Sequence, residues 1–298
     1  MSSKDMSSKD MNPQSMNPKD ITTYARNQWC PGCGDFGILT AMKSILKDMS
    51  ADGIPLENIV VVAGIGQHAK IADYLNVNSF YSIHGRTLPV ATAIKLANPE
   101  LKVICFSGDG DSLAEGLDHL IFAAKRNIDL TLVLHDNRIY GLTTGQYTPT
   151  SPFGFRGKST PKGTEEYPMN PLEVMLASGA SFIARAYPGR MEHFKRLLKD
   201  AIMHKGFSFL DVLQVCVTYN NLYDFYNKRV YEIKDNDPGN FDEALKIIRS
   251  WDYNSDAPVA IGKFYEKDMP RFDEMFPGYK PHKVDREAGI RRALENFI

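Results

Sequence analysis

Two short apolar segments of the sequence each stop at residues that could bind a metal ion. The first runs into Gly-Asp-Gly-Asp at Gly108–Asp111, and the second runs into Asn137. Between them, residues 113–126 repeat apolar side chains at helical spacing, which predicts a strand, a crossover helix and a second strand. Such a unit brings Asp109 and Asn137 together at the carboxyl ends of neighbouring parallel strands, where open α/β sheets bind ligands.

This predicted edge has the chemistry of a site for Mg²⁺ and a diphosphate. The carboxylate of Asp109 and the amide oxygen of Asn137 are hard ligands, and Mg²⁺ takes its other ligands from phosphate and water. Gly108 and Gly110 let backbone amides come close to an anion at the start of a helix. Glycine and aspartate also make ordinary turns, so a plain doubly wound sheet with an acidic turn is the alternative. The spacing of 28 residues, one complete helix and strand, favours the metal site.

Further motifs follow other predicted strands of the same sheet. Gly64–Gly66 follows an apolar run at 59–63, His84–Arg86 follows a shorter predicted strand at 80–83, and Cys216 follows a strand-like segment at 207–213. Together with the first two sites, five elements converge on one edge, which favours a cofactor site over five unrelated turns. The predicted fold class is α/β, with a doubly wound, mostly parallel sheet.

The chain divides into three predicted parts. Residues 1–23 contain a repeated, polar, low-complexity pattern and are expected to form a disordered arm. Residues 24–234 alternate strands and helices and form the α/β domain, with a long Pro-, Gly- and Thr-rich loop at 147–171. Residues 235–298 change in character and are expected to be a C-terminal extension that covers the domain or contacts another subunit.

Composition narrows the range of functions. Apolar residues make up 43% of the 298 residues, enough for a core, and the net charge of −1 gives no basic field for nucleic acid. The sequence shows neither a membrane-spanning run nor a signal peptide. Four cysteines do not suggest a secreted disulfide framework, so we expect metal or redox use in the cytoplasm.

In order along the chain, these motifs resemble the β subunits of 2-oxoacid:ferredoxin oxidoreductases, which use thiamine diphosphate. The resemblance covers residues 25 to 235 approximately. The matching segments are Trp29–Gly37, Gly64–Gly66, His84–Arg86, Gly108–Asp111, Asp136–Asn137, Tyr140–Thr143 and Cys216–Asn220. The resemblance implies the diphosphate-domain fold of thiamine diphosphate enzymes.

The resemblance also implies roles for individual residues. Mg²⁺ would be held by Asp109, Asn137 and the carbonyl of Ile139. The implied cofactor-binding residues are Ile65, Gly66, Gln67, His68, His84, Gly108, Gly110, Asp111, Gly141 and Leu142, and the implied catalytic residues are His84, Asp111 and Thr143. A single histidine is more often a hydrogen-bonded core residue, but the place of His84 at a strand end favours a contact with the diphosphate.

The cysteines depart from the family pattern. The resemblance implies a [4Fe–4S] cluster on four thiolates, which such clusters require. Three of the four positions carry cysteine here: Cys30, Cys33 and Cys216. The fourth position is Gln67, which leaves several possibilities open. His68 could supply an imidazole ligand, a three-cysteine cluster could leave one iron open, or the cluster could be lost; Cys105 lies within an apolar strand and is expected to be a core thiol.

The implied activity is oxidative decarboxylation of a 2-oxoacid, 2-oxoglutarate or pyruvate, to acyl-CoA and CO₂, with electrons passed to ferredoxin. A partner α (or fused α/γ) subunit would complete the site in a heterodimer. Two alternatives stay open: a thiamine diphosphate decarboxylase or acyl transferase without a cluster, suggested by Gln67, and a structural subunit, disfavoured by the intact Asp109 and Asn137. Thr144 stands where the family often has Lys or Gly, so the substrate is left undecided.

Overall fold

The computed structural model describes residues 21–275, 281–283 and 285–295, and one eight-stranded sheet runs through them. The strands are β1 (Ile59–Ala63), β2 (Asn78–Tyr81), β3 (Lys102–Gly108), β4 (Thr131–Asp136), β5 (Phe182–Ala186), β6 (Ser208–Leu213), β7 (Val230–Glu232) and β8 (Val259–Glu266). Their order is β2-β1-β3-β4-β6-β5-β8-β7. The first six are parallel, and β8 runs antiparallel to β5 with β7 parallel to β8. The predicted mostly parallel α/β sheet is confirmed.

Helices cover both faces of this sheet. They are α1 (Asp35–Ala51), α2 (Ile71–Tyr74), α3 (Thr87–Ala97), α4 (Leu117–Arg126), α5 (Pro171–Ala177), α6 (Met191–Met203), α7 (Tyr223–Arg229), α8 (Phe241–Ile248) and α9 (Arg286–Glu295). Alternate strand residues divide between two cores: Val61 packs with α1 and α6, whereas Val60 and Val62 pack with α3 and α4. Both faces of the central strands are therefore buried, as in other doubly wound sheets. None of the helices in this described part is long and apolar enough to span a bilayer.

Two predicted elements differ from the structure in detail. The helix predicted at 113–126 begins as a π-helical turn, Asp111–Glu115, and α4 starts only after Gly116. The strand predicted at 80–83 is β2, two residues earlier, and all four of its residues are exposed at the sheet edge. The long loop contains neither helix nor strand between Tyr147 and Asn170, as its composition predicts.

The ends of the predicted domain are more closely integrated than the sequence indicates. Ile21 is buried in the core and Thr22 forms a bridge with Leu75. Residues 21–23 therefore belong to the fold, and the prediction that they are part of a disordered arm is wrong. The rest of the predicted arm lies outside the described residues. From the predicted extension, β8 pairs with β5, so part of this segment completes the sheet.

Candidate cofactor site

A cleft opens where β1, β3 and β4 end. Its lining residues are Ile65, Gly66, Gln67, His68, His84, Gly108, Asp109, Gly110, Asp111, Asn137, Ile139, Tyr140, Gly141, Leu142 and Thr143. Parallel pairing of β3 with β4, in which Gly108 lies opposite His135, brings the two strand ends to one level. Fourteen of these fifteen residues are the implied Mg²⁺, cofactor and catalytic residues; Tyr140 is the addition. Their roles stay predictions, but the structure gathers all of them in one place.

The three implied Mg²⁺ ligands offer oxygen donors on the same cleft wall. Asp109 is almost fully buried directly after β3, and Thr150 Oγ lies 2.6 Å from its Oδ2. The same hydroxyl lies 2.9 Å from Asp136 Oδ1, so one residue of the long loop supports both strand ends. Burial raises the pKa of the Asp109 carboxyl. A carboxylate, an amide and a backbone carbonyl form the hard donor set that suits Mg²⁺.

Asp111 organises the part of the cleft that contains His84. Its Oδ1 accepts a hydrogen bond of 2.8 Å from the Gly85 amide and lies 3.0 Å from His84 Nδ1. Its Oδ2 accepts from Ser107 Oγ at 2.6 Å and lies 3.6 Å from His68 Nε2. Burial raises the pKa of Asp111, but the donors around it outweigh burial and hold the pKa below its ordinary value. Asp111 is therefore an ionised anchor for His84.

We predict a pH-dependent contribution of His84 to stability. Its contact with Asp111, which outweighs partial burial, raises the pKa of His84 above its ordinary value of 6.5. A raised pKa adds stability that is fully present below the unfolded value and is lost as the pH rises through the folded value. Melting temperatures of the wild type and His84→Gln should therefore differ most below pH 6.5 and converge at alkaline pH. A difference that is constant from pH 5 to pH 9 would contradict this assignment.

Close approaches at two glycines shape the cleft. A β-carbon on Gly64 would overlap Asp111 Oδ2 at 1.7 Å, and one on Gly110 would lie 2.3 Å from the ring of Tyr140. Tyr140 itself donates from its hydroxyl to Glu115 at 3.0 Å, which holds the ring against the cleft. Tyr140 belongs to one of the motifs that match the family, but its residue type alone does not predict that it lines the cleft.

Beside the cleft lies a second pocket that contains three of the four cysteines, and we call it the cysteine pocket. Its lining residues are Trp29, Cys30, Cys33, Asp35, Gln67, Asn137, Gly141, Gln214, Cys216, Val217, Thr218 and Tyr219. The Gly34 amide donates to the Val215 carbonyl at 3.0 Å, so the Cys-x-x-Cys loop packs on the segment that carries Cys216. All four cysteines are free thiols.

The structure narrows the choice of a fourth cluster ligand. Gln67 lies in the cysteine pocket; Trp29 Nε1 donates to its carbonyl at 2.8 Å, and its side-chain oxygen is buried without a hydrogen-bond partner. His68 instead accepts from the Gly108 amide at 3.2 Å and lines the cleft, and Cys105 is fully buried within β3. Neither lines the cysteine pocket. Among the described residues, no group of three His, Cys, Asp or Glu side chains is arranged to hold a single metal ion.

The cleft and the cysteine pocket share a wall. Gln67, Asn137 and Gly141 line both of them. A β-carbon on Gly141 would lie 3.5 Å from Cys216 Sγ, which shows how thin this wall is. A molecule in the cleft would therefore be separated from the three thiols by a single layer of residues.

Comparison with protein families assigns the class to which this fold and cleft belong. Residues 62–212 match the thiamine pyrophosphate enzyme C-terminal, TPP-binding domain. Residues 216–281 match the C-terminal region of the pyruvate ferredoxin oxidoreductase beta subunit. The first match contains all the implied Mg²⁺ ligands and cofactor-binding residues, and the second begins at Cys216.

Individual relatives identify the family. The beta subunit of 2-oxoacid:ferredoxin oxidoreductase 1 from Aeropyrum pernix is 44% identical over 253 residues, covering 80% of this chain and 77% of that protein. The beta subunit from Saccharolobus solfataricus is 39% identical, covering 85% and 88%. A structure of 2-oxoglutarate:ferredoxin oxidoreductase from Magnetococcus marinus, with 2-oxoglutarate, coenzyme A and succinyl-CoA bound, superimposes with a TM-score of 0.82 at 34% identity, covering 95% and 92%. The chain belongs to the family of 2-oxoacid:ferredoxin oxidoreductase β subunits.

Proposed function

We propose that this chain, with an α subunit, oxidatively decarboxylates a 2-oxoacid to acyl-CoA and CO₂ and passes the electrons to ferredoxin. The observation that carries the proposal is the shared wall between a cleft of implied cofactor residues and a pocket of three cysteines. The test is ferredoxin reduction by the complex, co-produced with its α subunit and purified without oxygen. Reduction that requires both 2-oxoacid and coenzyme A supports the proposal, and its absence in a cofactor-loaded complex contradicts it.

In this proposal the chain holds the Mg²⁺–diphosphate part of thiamine diphosphate. Asp109, Asn137 and the Ile139 carbonyl would bind the metal ion, and the glycines of Gly108–Asp111 would lie along the phosphates. When bound, thiamine diphosphate supplies the electron sink for loss of CO₂. This chain contributes orientation: Asp111 holds the ring of His84 at the cleft wall, and the Gly108 amide holds the ring of His68.

We further propose that an iron–sulfur cluster lies in the cysteine pocket on Cys30, Cys33 and Cys216, with Gln67 at the fourth corner. Three cysteine side chains line one pocket, and as thiolates they would be the soft donors such a cluster needs. The free thiols fit a reducing cytoplasm, the location we propose.

Gln67 also favours a second candidate, a thiamine diphosphate enzyme without electron transfer. Iron and acid-labile sulfide in the purified complex distinguish the two.

The α subunit would cover the mouth of the cleft. Apolar side chains are exposed around it: Ile65 and Leu142 on its lining are 37% and 48% exposed, and Ile83, next to His84, is 73% exposed. Phe80 on the edge strand β2 is 49% exposed. Exposed apolar side chains grouped around a binding site are typical of protein interfaces.

We predict that Ile83→Asp separates the two subunits. Burying a carboxylate in an apolar interface is costly, so the affinity for the α subunit should fall by at least about 30-fold, the effect of one strong interface residue. Met203→Asp is the matched control, because Met203 is 44% exposed and lies at the end of α6, just before β6 begins and therefore at the edge of the sheet opposite the cleft. Size-exclusion chromatography and calorimetric titration measure the effect. Equal affinities for the two variants would rule out this surface.

Lys158 places a positive charge next to Thr144, where a substrate carboxylate could be bound. Thr144 has a φ of +75°, a costly conformation for a β-branched residue, and Lys158 Nζ donates to its hydroxyl at 3.0 Å. A β-carbon on Gly157 would lie 2.5 Å from the Gly145 carbonyl, so the long loop packs tightly against this turn. We propose that Lys158 offers a substrate carboxylate the positive charge that Thr144 cannot.

A further inference from the structure

Gln214 connects the two pockets through one buried amide. It follows β6, is 1% exposed, and lines the cysteine pocket. Its Oε1 accepts from Asn137 Nδ2 at 2.7 Å, and its Nε2 lies 3.4 Å from Cys33 Sγ and 2.9 Å from the Val215 carbonyl. One side chain thus contacts an implied Mg²⁺ ligand and an implied cluster ligand.

The hydrogen-bond network fixes the orientation of both amides. A carbonyl can only accept, so the contact with Val215 assigns Nε2 of Gln214 as the donor on that side. Its Oε1 must then face Asn137, which presents its own Nδ2 to it. The Oδ1 of Asn137 is left to accept from the Ile139 amide at 3.0 Å and to act as an oxygen ligand. A reversed Asn137 would present an N–H group where the metal ion needs an oxygen.

On the other side, Gln214 acts on a sulfur. An N–H donor aimed at a thiolate stabilises negative charge on it, and hydrogen bonds to sulfur are among the factors that set cluster reduction potentials. Because a reduced cluster carries more negative charge, such a donor raises the potential.

We propose that Gln214 is a positioning residue that holds Asn137 in its metal-binding orientation and raises the potential of a cluster at Cys33. The inference rests on the function proposed above. It goes beyond that function because it assigns two measurable effects to one side chain that is not itself a ligand: one on cofactor affinity and one on the cluster potential.

The test compares three variants of the co-produced complex. Gln214→Met keeps the approximate volume but removes all three polar contacts, Gln214→Glu keeps an acceptor for Asn137 but removes the donors to Cys33 Sγ and to the Val215 carbonyl, and Gln28→Met is an exposed control. The first measurement is the Kd for thiamine diphosphate in the presence of Mg²⁺, by titration of cofactor-depleted complex. The second is the cluster reduction potential, by a redox titration followed by electron paramagnetic resonance.

We expect Gln214→Met to weaken thiamine diphosphate binding about 10- to 100-fold, the usual effect of removing a partner of a metal ligand. Gln214→Glu should retain more affinity than Gln214→Met, because one oxygen still accepts from Asn137, but less than wild type, because its other oxygen is a buried acceptor that faces the Val215 carbonyl. Both should show a lower reduction potential than wild type and Gln28→Met.

Two results would overturn the proposal: unchanged affinity and potential in Gln214→Met, or equal losses of affinity in the Met and Glu variants with a parallel loss of melting temperature. The second would indicate a purely structural role. If wild-type complex contains no iron, the cluster part of the proposed function fails, and the affinity comparison still decides whether Gln214 positions Asn137.

Discussion

Asp109→Asn is expected to eliminate tight binding of thiamine diphosphate and with it 2-oxoacid-dependent activity. The substitution preserves the size of a nearly fully buried side chain and its contact with Thr150, but removes the negative charge offered to Mg²⁺. Removing a hydrogen-bonding partner of a metal ligand typically lowers metal affinity about 10- to 100-fold. Removing a charged ligand itself should therefore weaken thiamine diphosphate binding by more than about 100-fold. Calorimetric titration of cofactor-depleted complex with thiamine diphosphate and Mg²⁺ gives the affinity.

The matched control for this experiment is Asp118→Asn. Asp118 lies on α4 with a side chain that is 71% exposed, so the same change of charge occurs away from the cleft. The control should bind cofactor as wild type does. If Asp109→Asn also binds with wild-type affinity, the cleft does not use Asp109 as a metal ligand and the assignment of this site is wrong.

Cys30→Ala is expected to remove most of the iron and to stop ferredoxin reduction. Cys30 is exposed, so its loss should not disturb folding. Because each thiolate holds one corner of a cluster, we expect iron per chain to fall below about a tenth of the wild-type amount. A single release of CO₂ per site should remain, since the cleft residues are unchanged, but without the cluster no acceptor takes the electrons that further turnover must deliver. Iron, sulfide and the absorbance near 400 nm report the cluster, and CO₂ release reports the cleft.

Two further cysteine variants complete this test. Cys105→Ala changes a fully buried thiol within β3 and should lower stability while leaving the iron content intact. Gln67→Cys supplies a thiolate at the fourth corner of the cysteine pocket and should give a cluster that resists loss of iron in air. Equal, substantial iron in Cys30→Ala and wild type would show that Cys30 is not a cluster ligand, whereas the absence of iron from both would argue for an enzyme without electron transfer.

The cleft could be predicted from the sequence because topology alone places its motifs. In a parallel α/β sheet every strand ends at the same edge, so a motif that follows an apolar run is placed without knowledge of any contact. Gly108–Asp111, Asn137 and His84 all came together on this basis. The same logic assigned Cys105, inside a strand, to the core and Cys216, after a strand, to the edge.

The remainder depends on contacts that sequence patterns do not encode. Gln214 lies 77 residues from Asn137, and Thr150 lies 41 residues from Asp109, so neither carries a local signal of its role. The position of β8 between β5 and β7 is likewise a long-range pairing, and it made residues after 235 look detached from the sheet. Phe80 shows the opposite case: its residue type suggests a buried strand position, but its side chain lies exposed on the edge strand β2.

The wall formed by Gln67, Asn137 and Gly141 has a consequence for how fast the two pockets could exchange electrons. Many multistep enzymes carry an intermediate between distant centres on a swinging arm, and their rate then depends on diffusion of that arm. Here a single layer of residues lies between the two pockets, so in the proposed enzyme an electron would cross that layer without a moving carrier. The internal transfer should therefore be insensitive to solvent viscosity, and added glycerol should slow only the encounter with ferredoxin.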